Sequence, residues 1–503
     1  MGLFLEGLQM VMNPETLLIM LLGTVAGLVF AVIPGLTFTT AMVLFVPLTF
    51  GLSGVSSVAL ILGVYAGGMS GGAFSAILLG IPGTPSAAAT VYDGHKMALA
   101  GQGGKACGIA AFSSVFGGIF SLIVLMLVAP QLAKVAMQFG APIIFSLVML
   151  GFCCVVSLSG KNMVKGLFAG FAGLFLCTIG SDPLTGFARF TFGKPSLLSG
   201  ISVMPILIGA FAIPTVVEAF VEAKERKGVT KSTLPFDPKT VKAPFPTFGE
   251  IKRIIKVLFY GSALGTALGC IPGMAGPIAP FMSYDHCKRF APKIGEGVIE
   301  GVAAPESANN ATQGGSLIPM MCLGIPCDAT SAILLGALTL HGFVPGPLLF
   351  DTNKGLVYAI FISLFLIYLL ALVLQFFGIR VLVRVLGVPK LNMMAVITLL
   401  AFIGSYAISL NYTYMVVMFL AGFAAYFMKR NDYPIMPLIL GVVLGKNIEK
   451  NLRAALTISN GSPRIFLEEP LSLVFLGLAV IMLLFPLIKK IIVSSKAKKE
   501  AKA

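Results

Sequence analysis

The chain has 503 residues, of which 57% are hydrophobic and only 11% charged, with a formal net charge of +15. That balance excludes an ordinary soluble domain and indicates an all-α polytopic membrane protein, since a helix crossing the bilayer needs about 20 apolar residues. Lys and Arg gather in connecting segments, chiefly 224–256 and 489–502. The positive charge is therefore read as the cytoplasmic-loop bias that fixes topology and not as a nucleic-acid surface.

The first uncharged run long enough to span is Thr16 to Val32. No Lys or Arg precedes Lys96 and no basic signal-peptide region is present, so the N-terminus is expected outside the cytoplasm. This run contains Gly23-Thr-Val-Ala-Gly27 and leads to Ile33-Pro34-Gly35. Pro34 and Gly35 are expected to unwind the helix and free carbonyl oxygens, hard ligands for a cation such as Na+; a plain proline kink is the alternative.

Next comes a segment of short apolar pieces, Tyr65 to Gly94. Gly67-Gly-Met-Ser70-Gly71-Gly72 precedes Ala73 to Leu79, then Gly80-Ile-Pro-Gly83-Thr84-Pro-Ser86 and Ala87 to Tyr92. Each piece would make about 12 Å of helix, under half a bilayer, so a re-entrant helical hairpin is expected near 70–94. Its breaks must face protein or an aqueous cavity. Thr84-Pro-Ser86 has the composition of a helix start, whose free N–H groups suit a carboxylate, with Gly83 allowing close approach. Ser70, and Thr312 in the second half, each just before a glycine pair, would act similarly at the first half-helix. Asp93 and Asp182 read as caps. The bland alternative is a tight turn between packed helices.

Ile109 to Val128 is another clear span, and Ala169-Gly-Phe-Ala172 and Pro205 to Gly209 lie further on. Residues 1–220 form the first half. Residues 221–253, with four prolines and mixed charge, form a cytoplasmic linker.

Residues 254–467 repeat the landmarks in order. Gly261-Ser-Ala-Leu-Gly265 leads to Ile271-Pro272-Gly273, with Pro272 and Gly273 matching Pro34 and Gly35. Ser307-Ala-Asn309-Asn310-Ala-Thr312-Gln-Gly314-Gly315-Ser316 leads to Leu317–Leu323, Gly324-Ile-Pro-Cys-Asp328 and a second expected hairpin near 312–341. Ala421 to Ala424 and Pro437 to Gly441 complete the echo, with Leu356 to Phe377 as a clear span. With the N-terminus outside and the linker inside, the halves are expected to be inverted-topology repeats, with about 11 or 12 transmembrane helices in all. Leu471 to Leu487 would be an extra helix in the segment 468–503, returning a basic tail to the cytoplasm.

Paired breaks in two halves point to a binding site near the bilayer midplane. Ser70, Gly71, Gly72, Gly83, Thr84, Ser86, Asn309, Asn310, Thr312, Gly314, Gly315 and Ser316 are the candidate substrate contacts. Pro34, Gly35, Pro272, Gly273, Asn310 and Asp328 are the candidate cation contacts. Asp328, at the position of Thr84, would repel an anion; the first hairpin is thus expected to take the anionic group, and Asp328 to cap its helix or ligate a cation. Glu306, after Pro305, reads as a first-turn helical residue. The eight cysteines and three histidines have no metal-ligand spacing.

Three runs carry a resemblance over essentially the whole chain. They are Tyr65 to Gly72 with Gly80-Ile-Pro-Gly-Thr-Pro and Asp93-Gly94, Thr178 to Gly193, and Gly301 to Ala311. The chain resembles the large membrane subunit of tripartite tricarboxylate transporters. The resemblance implies a bacterial inner-membrane permease, and not an enzyme. Its partners would be a small four-helix membrane subunit and a periplasmic solute-binding protein, and its activity the cation-driven uptake of organic acids such as citrate. Likeness in logic to other binding-protein-dependent carriers implies an elevator-like motion. The sequence departs from the family pattern at Gly80, usually Asn; at Cys327, usually Gly; and at His95-Lys96, often Tyr-Pro.

Importing a dianion against an inside-negative potential of 100 mV costs about 2 × 2.3 kcal/mol. At least two monovalent cations per dianion are therefore expected, and three if uptake is electrogenic. A stand-alone ion exchanger or channel is the runner-up, but would need ionisable groups in mid-helix, and few are visible. An intramembrane enzyme lacks a nucleophile–base pair, and an ATP-driven permease lacks a P-loop.

Overall fold

The computed structural model describes residues 2–158, 163–182, 185–225, 242–388, 390–408 and 410–484. Residues 226–241 of the expected linker and 485–503 of the expected tail lie outside the described residues. The early helices are α1 (Gly2–Val11), α2 (Pro14–Val32), α3 (Phe38–Phe45), α4 (Gly54–Leu79), α5 (Val91–Met97) and α6 (Gly103–Ala136). Next come α7 (Ala141–Leu158), α8 (Met163–Cys177), the two-residue strands β1 (Gly180–Ser181) and β2 (Ala188–Arg189), and α9 (Val203–Glu225). The later part comprises α10 (Phe248–Gly269), α11 (Ile278–Cys287), α12 (Ile299–Leu323), α13 (Ala329–Leu340), α14 (Leu349–Thr352) and α15 (Lys354–Val385). Then follow α16 (Lys390–Ala407), α17 (Tyr412–Arg430), α18 (Ile435–Ile458), α19 (Ile465–Glu468) and α20 (Pro470–Leu484).

Among the described residues, eight helical stretches are long and apolar enough to cross a membrane, and shorter apolar helices accompany them. The protein is a polytopic, nearly all-helical membrane protein. Three expected spans correspond to α2, α6 and α15; the described part of the fourth, α20, is shorter. Some long helices miss the apolar criterion because of what they carry. α12 has 25 residues and a fully buried interior, yet includes Glu300, Glu306, two Asn and a Gln.

Two compact units make up the chain: Met1–Lys134 with Met204–Tyr426, and Val135–Val203 with Phe427–Ala503. Each draws on both halves of the sequence.

Two helix pairs organise the larger unit. α2 lies on α4 with Gly23 against the Leu60 carbonyl and Gly27 against the Val64 carbonyl. α10 lies on α12 with Gly261 against Ala304 and Gly265 against Ala308. Leu60 and Val64 stand in the same register to Ala304 and Ala308 as Leu79–Pro82 stands to Leu323–Pro326. Small residues at these contacts let backbones approach as no larger side chain would allow. A second correspondence crosses the halves. In the larger unit Gly209 of α9 meets Met418 and Gly422 of α17, and in the smaller unit Gly441 of α18 meets Gly170 and Leu174 of α8.

The hairpins differ from expectation. Gly67–Gly72 is not a break: α4 runs unbroken for 26 residues. Its glycines are contact points, Gly67 against Thr24, Gly68 against Phe38 and Gly71 against Leu28. Ser307–Ser316 is likewise the interior of α12. Ser70 and Thr312 therefore start no helix. Close packing, not unwinding, explains the glycine pairs. True breaks occur one position before each Ile-Pro, where Gly80 and Gly324 both end their helices at φ 68°, a left-handed conformation that glycine adopts without strain.

After these caps the two turns diverge. The first leads only to a single 3-10 turn, Pro85–Ala88, and then to the short α5. The second leads into α13, twelve residues capped by Asp328. The Ile-Pro-Gly sites end their helices outright: α2 stops at Val32 and α10 at Gly269, with Gly35 and Gly273 at φ 82° and 86°.

Candidate functional site

α4 and α12 meet at their middles, and polar side chains that neither helix can expose are brought together there. The Ser70 hydroxyl donates to Asn310 Oδ1 at 2.9 Å, and Asn309 Nδ2 donates to the Met69 carbonyl at 3.0 Å. Asn310 Nδ2 donates back along its own helix to the Glu306 carbonyl at 3.1 Å. A turn further on, the Ser316 hydroxyl lies 3.0 Å from the Tyr65 hydroxyl, and Tyr368 of α15 donates to Gln313 Oε1 at 2.9 Å. Thr312 turns inward to the Asn309 carbonyl at 2.6 Å. All of these side chains are buried. Asn309 Oδ1, Gln313 Nε2 and Ser113 Oγ are buried without a hydrogen-bond partner among the described residues, a state that disfavours a dry interior unless a ligand completes it.

The first turn folds against this crossing. Gly83 N–H points to the Gly72 carbonyl at 3.4 Å, and a Cβ on Gly72 would stand 2.6 Å from Thr84 Oγ1. Thr84 Oγ1 and Ser86 Oγ are 3.1 Å apart, and Thr84 makes no capping bond. The structure thus gathers Gly72, Gly83, Thr84 and Ser86 on one side and Ser70 with Asn309, Asn310 and Ser316 on the other. The helix N-terminus expected at Thr84 is not formed, because the 3-10 turn has too few aligned N–H groups to present a dipole end. Gly71, Gly314 and Gly315 act as packing positions, meeting Leu28, Ser121 and Thr266.

At the second turn Asp328 is the N-cap of α13, accepting from Ser331 N–H at 2.7 Å within a capping box. Gly273 N–H donates to the Cys327 carbonyl at 2.8 Å, which brings Pro272 and Gly273 beside Asp328. Pro34 and Gly35 are placed differently: Gly35 faces Lys390 of α16, which is paired with Glu222.

Three acidic residues have roles other than those read from the sequence. Glu306 is not in a first turn but two turns into α12, fully buried, with Thr90 donating to Oε1 at 2.5 Å and Ser114 to Oε2 at 3.1 Å. Its signal was a lone acid within the otherwise uncharged run 301–323. Asp93 does not cap its own helix. Its buried carboxylate takes Tyr284 OH at 2.7 Å and the N–H groups of Gly295, Gly297 and Val298, holding the entry to α12. Asp182, also read as a cap, accepts from Thr185 N–H and from Arg453. Beside it Glu449 hydrogen-bonds the Arg189 guanidinium and holds it above its ordinary pKa.

The departures at Gly80 and His95 are neighbours. A Cβ on Gly80 would stand 2.9 Å from the His95 ring, whose Nδ1 lies 3.0 Å from the Ile77 carbonyl. Asn, the residue that the resemblance implies at Gly80, also tolerates a left-handed cap, so the backbone is compatible with both residues while the ring favours glycine.

Comparison with known proteins agrees with this architecture. The tripartite tricarboxylate transporter TctA family matches residues 17–440. An Agrobacterium vitis protein described as an uncharacterized 52.8 kDa protein in the TAR-I ttuC' 3' region is 35% identical over 490 residues, 96% of each chain. A second from the same organism, in the TAR-II ttuC' 3' region, is 35% identical over 230 residues, 45% of this chain and 95% of that protein. No solved structure matches the chain. With its buried polar helix crossing set in a polytopic helical frame, the chain belongs to the tripartite tricarboxylate transporter TctA family.

Proposed function

We propose that this protein is the large membrane subunit of a tripartite carrier that takes up a di- or tricarboxylate or related organic acid. Uptake is coupled to a cation gradient, with Na+ as the ion. The acid is delivered by a periplasmic solute-binding protein, and a small four-helix membrane subunit completes the complex. The chain lies in the bacterial inner membrane with the N-terminus periplasmic and the C-terminus cytoplasmic, and its two halves are inverted repeats moving in an elevator-like manner.

The observation that carries this reading is the α4–α12 crossing. Hydroxyls and carboxamides from the two halves meet there with unpartnered oxygen and nitrogen atoms, and a Gly-Ile-Pro turn follows each helix. A carboxylate needs such donors: Gln313 Nε2 is uncommitted and the Thr84–Ser86 hydroxyl pair has one hydrogen to spare, while Ser70, Asn309, Asn310 and Ser316 would exchange their present bonds to serve. The carbonyls freed at Pro272-Gly273 with Asp328 are hard-oxygen groups suited to Na+.

The test is uptake of radiolabelled organic acids into proteoliposomes holding the full complex, with and without an imposed Na+ gradient. Accumulation driven by Na+ supports the reading. Uptake that ignores Na+ removes the sodium assignment, and a complex that moves no organic acid removes the function.

A further inference from the structure

Glu306 joins three segments that are remote in sequence. It belongs to α12; its two carboxylate oxygens are met by Thr90, which follows the first hairpin turn, and by Ser114 of α6. No Lys, Arg or His pairs with it among the described residues. The ionisable groups on the elements packed around α12 are committed elsewhere or, like Lys252 and Lys256 of α10, exposed. Asp93 is filled by Tyr284 and backbone N–H groups, Lys105 of α6 pairs with Glu250, and Arg253 of α10 pairs with Glu300. Lys96 and His95 of α5 reach the Gly295 and Ile77 carbonyls, His286 meets Tyr260, Tyr65 meets Ser316, and Asp328 is held by Ser331. A carboxyl group kept in a protein interior without a basic partner calls for a mobile positive charge.

A second observation points the same way. One turn along the same helix face, Asn309 Oδ1 is buried with no donor, and Ser113 Oγ, next to Ser114, is buried and unpartnered among the described residues. These two uncommitted atoms are oxygens, the donor type that alkali cations select, whereas the uncommitted nitrogen, Gln313 Nε2, lies a further turn along α12. The Glu306 carbonyl also accepts from Asn310, whose Oδ1 accepts from Ser70. Glu306 is thus joined to α4 through its backbone carbonyl and Asn310, and its carboxylate to the hairpin turn through Thr90.

We propose that the Glu306 carboxylate, with the hydroxyls of Thr90 and Ser114, binds one of the monovalent cations that drive transport, Na+ or a proton. This rests on the cation-coupled uptake argued above. An occupied site neutralises α12 and holds the Thr90 segment against it; an empty site leaves a bare carboxylate, which disfavours movement through the membrane. The substrate contacts and the cation are thereby coupled through one helix.

The experiment measures the number of charges moved per substrate, from reversal potentials in proteoliposomes holding the full complex. One arm imposes a Na+ gradient at constant pH, the other a pH gradient without Na+. Glu306→Gln is expected to lower the cation count by one in the arm that drives the wild type, and that arm identifies the ion. An unchanged count overturns the proposal.

Where Glu306→Gln blocks transport, Glu306→Asp and Ser114→Ala are compared by the cation concentration giving half-maximal uptake. A rise of about tenfold is expected, and unchanged values for both overturn the site. The purified protein gives a readout free of transport: Na+ addition or acidification raises the Tm of the wild type, the rise is expected to be smaller in Glu306→Gln, and an undiminished rise overturns the proposal. A wild-type complex that no cation gradient drives contradicts the underlying function instead, a result distinct from a normal Glu306→Gln variant.

Discussion

Ser70 on α4 donates its hydroxyl hydrogen to Asn310 on α12 at 2.9 Å, joining residues 240 positions apart. Because Asn310 Nδ2 is already committed to the Glu306 carbonyl, Ser70 is what satisfies its Oδ1. Ser70→Ala leaves a buried amide oxygen unmatched and is expected to destabilise by about 1–3 kcal/mol. In a double-mutant cycle with Asn310→Ala, thermal unfolding in detergent should show a coupling of roughly 0.5–3 kcal/mol. Additive effects would mean the bond contributes nothing.

Gly80 and His95 should be coupled by shape. Gly80→Asn keeps the left-handed cap but drives its Cβ into the imidazole, so about 1–3 kcal/mol of stability should be lost. Combining Gly80→Asn with His95→Ala removes the ring and should restore much of that loss. Tm values of the two singles and the double decide this; a double variant no better than the sum of the singles would contradict it.

Asp93 anchors the start of α12 with four donors, one hydroxyl and three backbone N–H groups. Asp93→Ala strands all of them, and a loss on the order of 3 kcal/mol or more is expected. Asp93→Asn keeps an acceptor and should lose less. Hydrogen exchange at 295–298 should accelerate in both, more strongly in the alanine variant.

The pH dependence of one half-buried pair follows from its geometry. Lys105, beside the Glu250 carboxylate, holds its pKa below the usual range, with the Thr247 N–H adding to the effect. A carboxyl lowered in the folded state contributes stability above its ordinary value, about 4.3, and loses it as pH falls through the lowered folded value. Glu250→Gln keeps the capping geometry while removing the charge. It should melt slightly below wild type at pH 7 and level with it in acid, and added salt should shrink the neutral-pH gap.

The helix pairs offer a further comparison. Gly27→Leu and Gly265→Leu each push a side chain into the backbone of the facing helix, at Val64 and Ala308. Both should lower folded yield in membranes to a similar degree, as measured by size-exclusion of solubilised protein. A large difference between them would show that the α2–α4 and α10–α12 contacts are not energetically alike.

Composition and apolar runs made the class and several spans legible, because the bilayer imposes length and hydrophobicity directly. The recurring Gly-Ile-Pro landmarks also located the true turns at Gly80 and Gly324. Sequence reasoning misjudged the glycine pairs, since Gly71 and Gly315 look alike whether they unwind a helix or press two together. Nothing local separates those cases; the difference lies in α2 and α10, which cover them. Asp93 and Glu306 escaped for a related reason. Their partners, Gly297 and Thr90, are about 200 residues away, and hydrogen bonds of that range leave no periodic trace in the chain.

The crossed contact of α8 with α18 bears on biosynthesis. Cys177 ends α8 and Ile435 begins α18, so about 260 residues separate the arrival of the two at the membrane, roughly 13–50 s at ribosomal speed. For that interval the Gly170–Gly173 face of α8 has no chance to meet its eventual neighbour, and lipid or an insertion factor must shelter it. A ribosome stalled between these helices would leave a nascent chain whose weak point is known in advance.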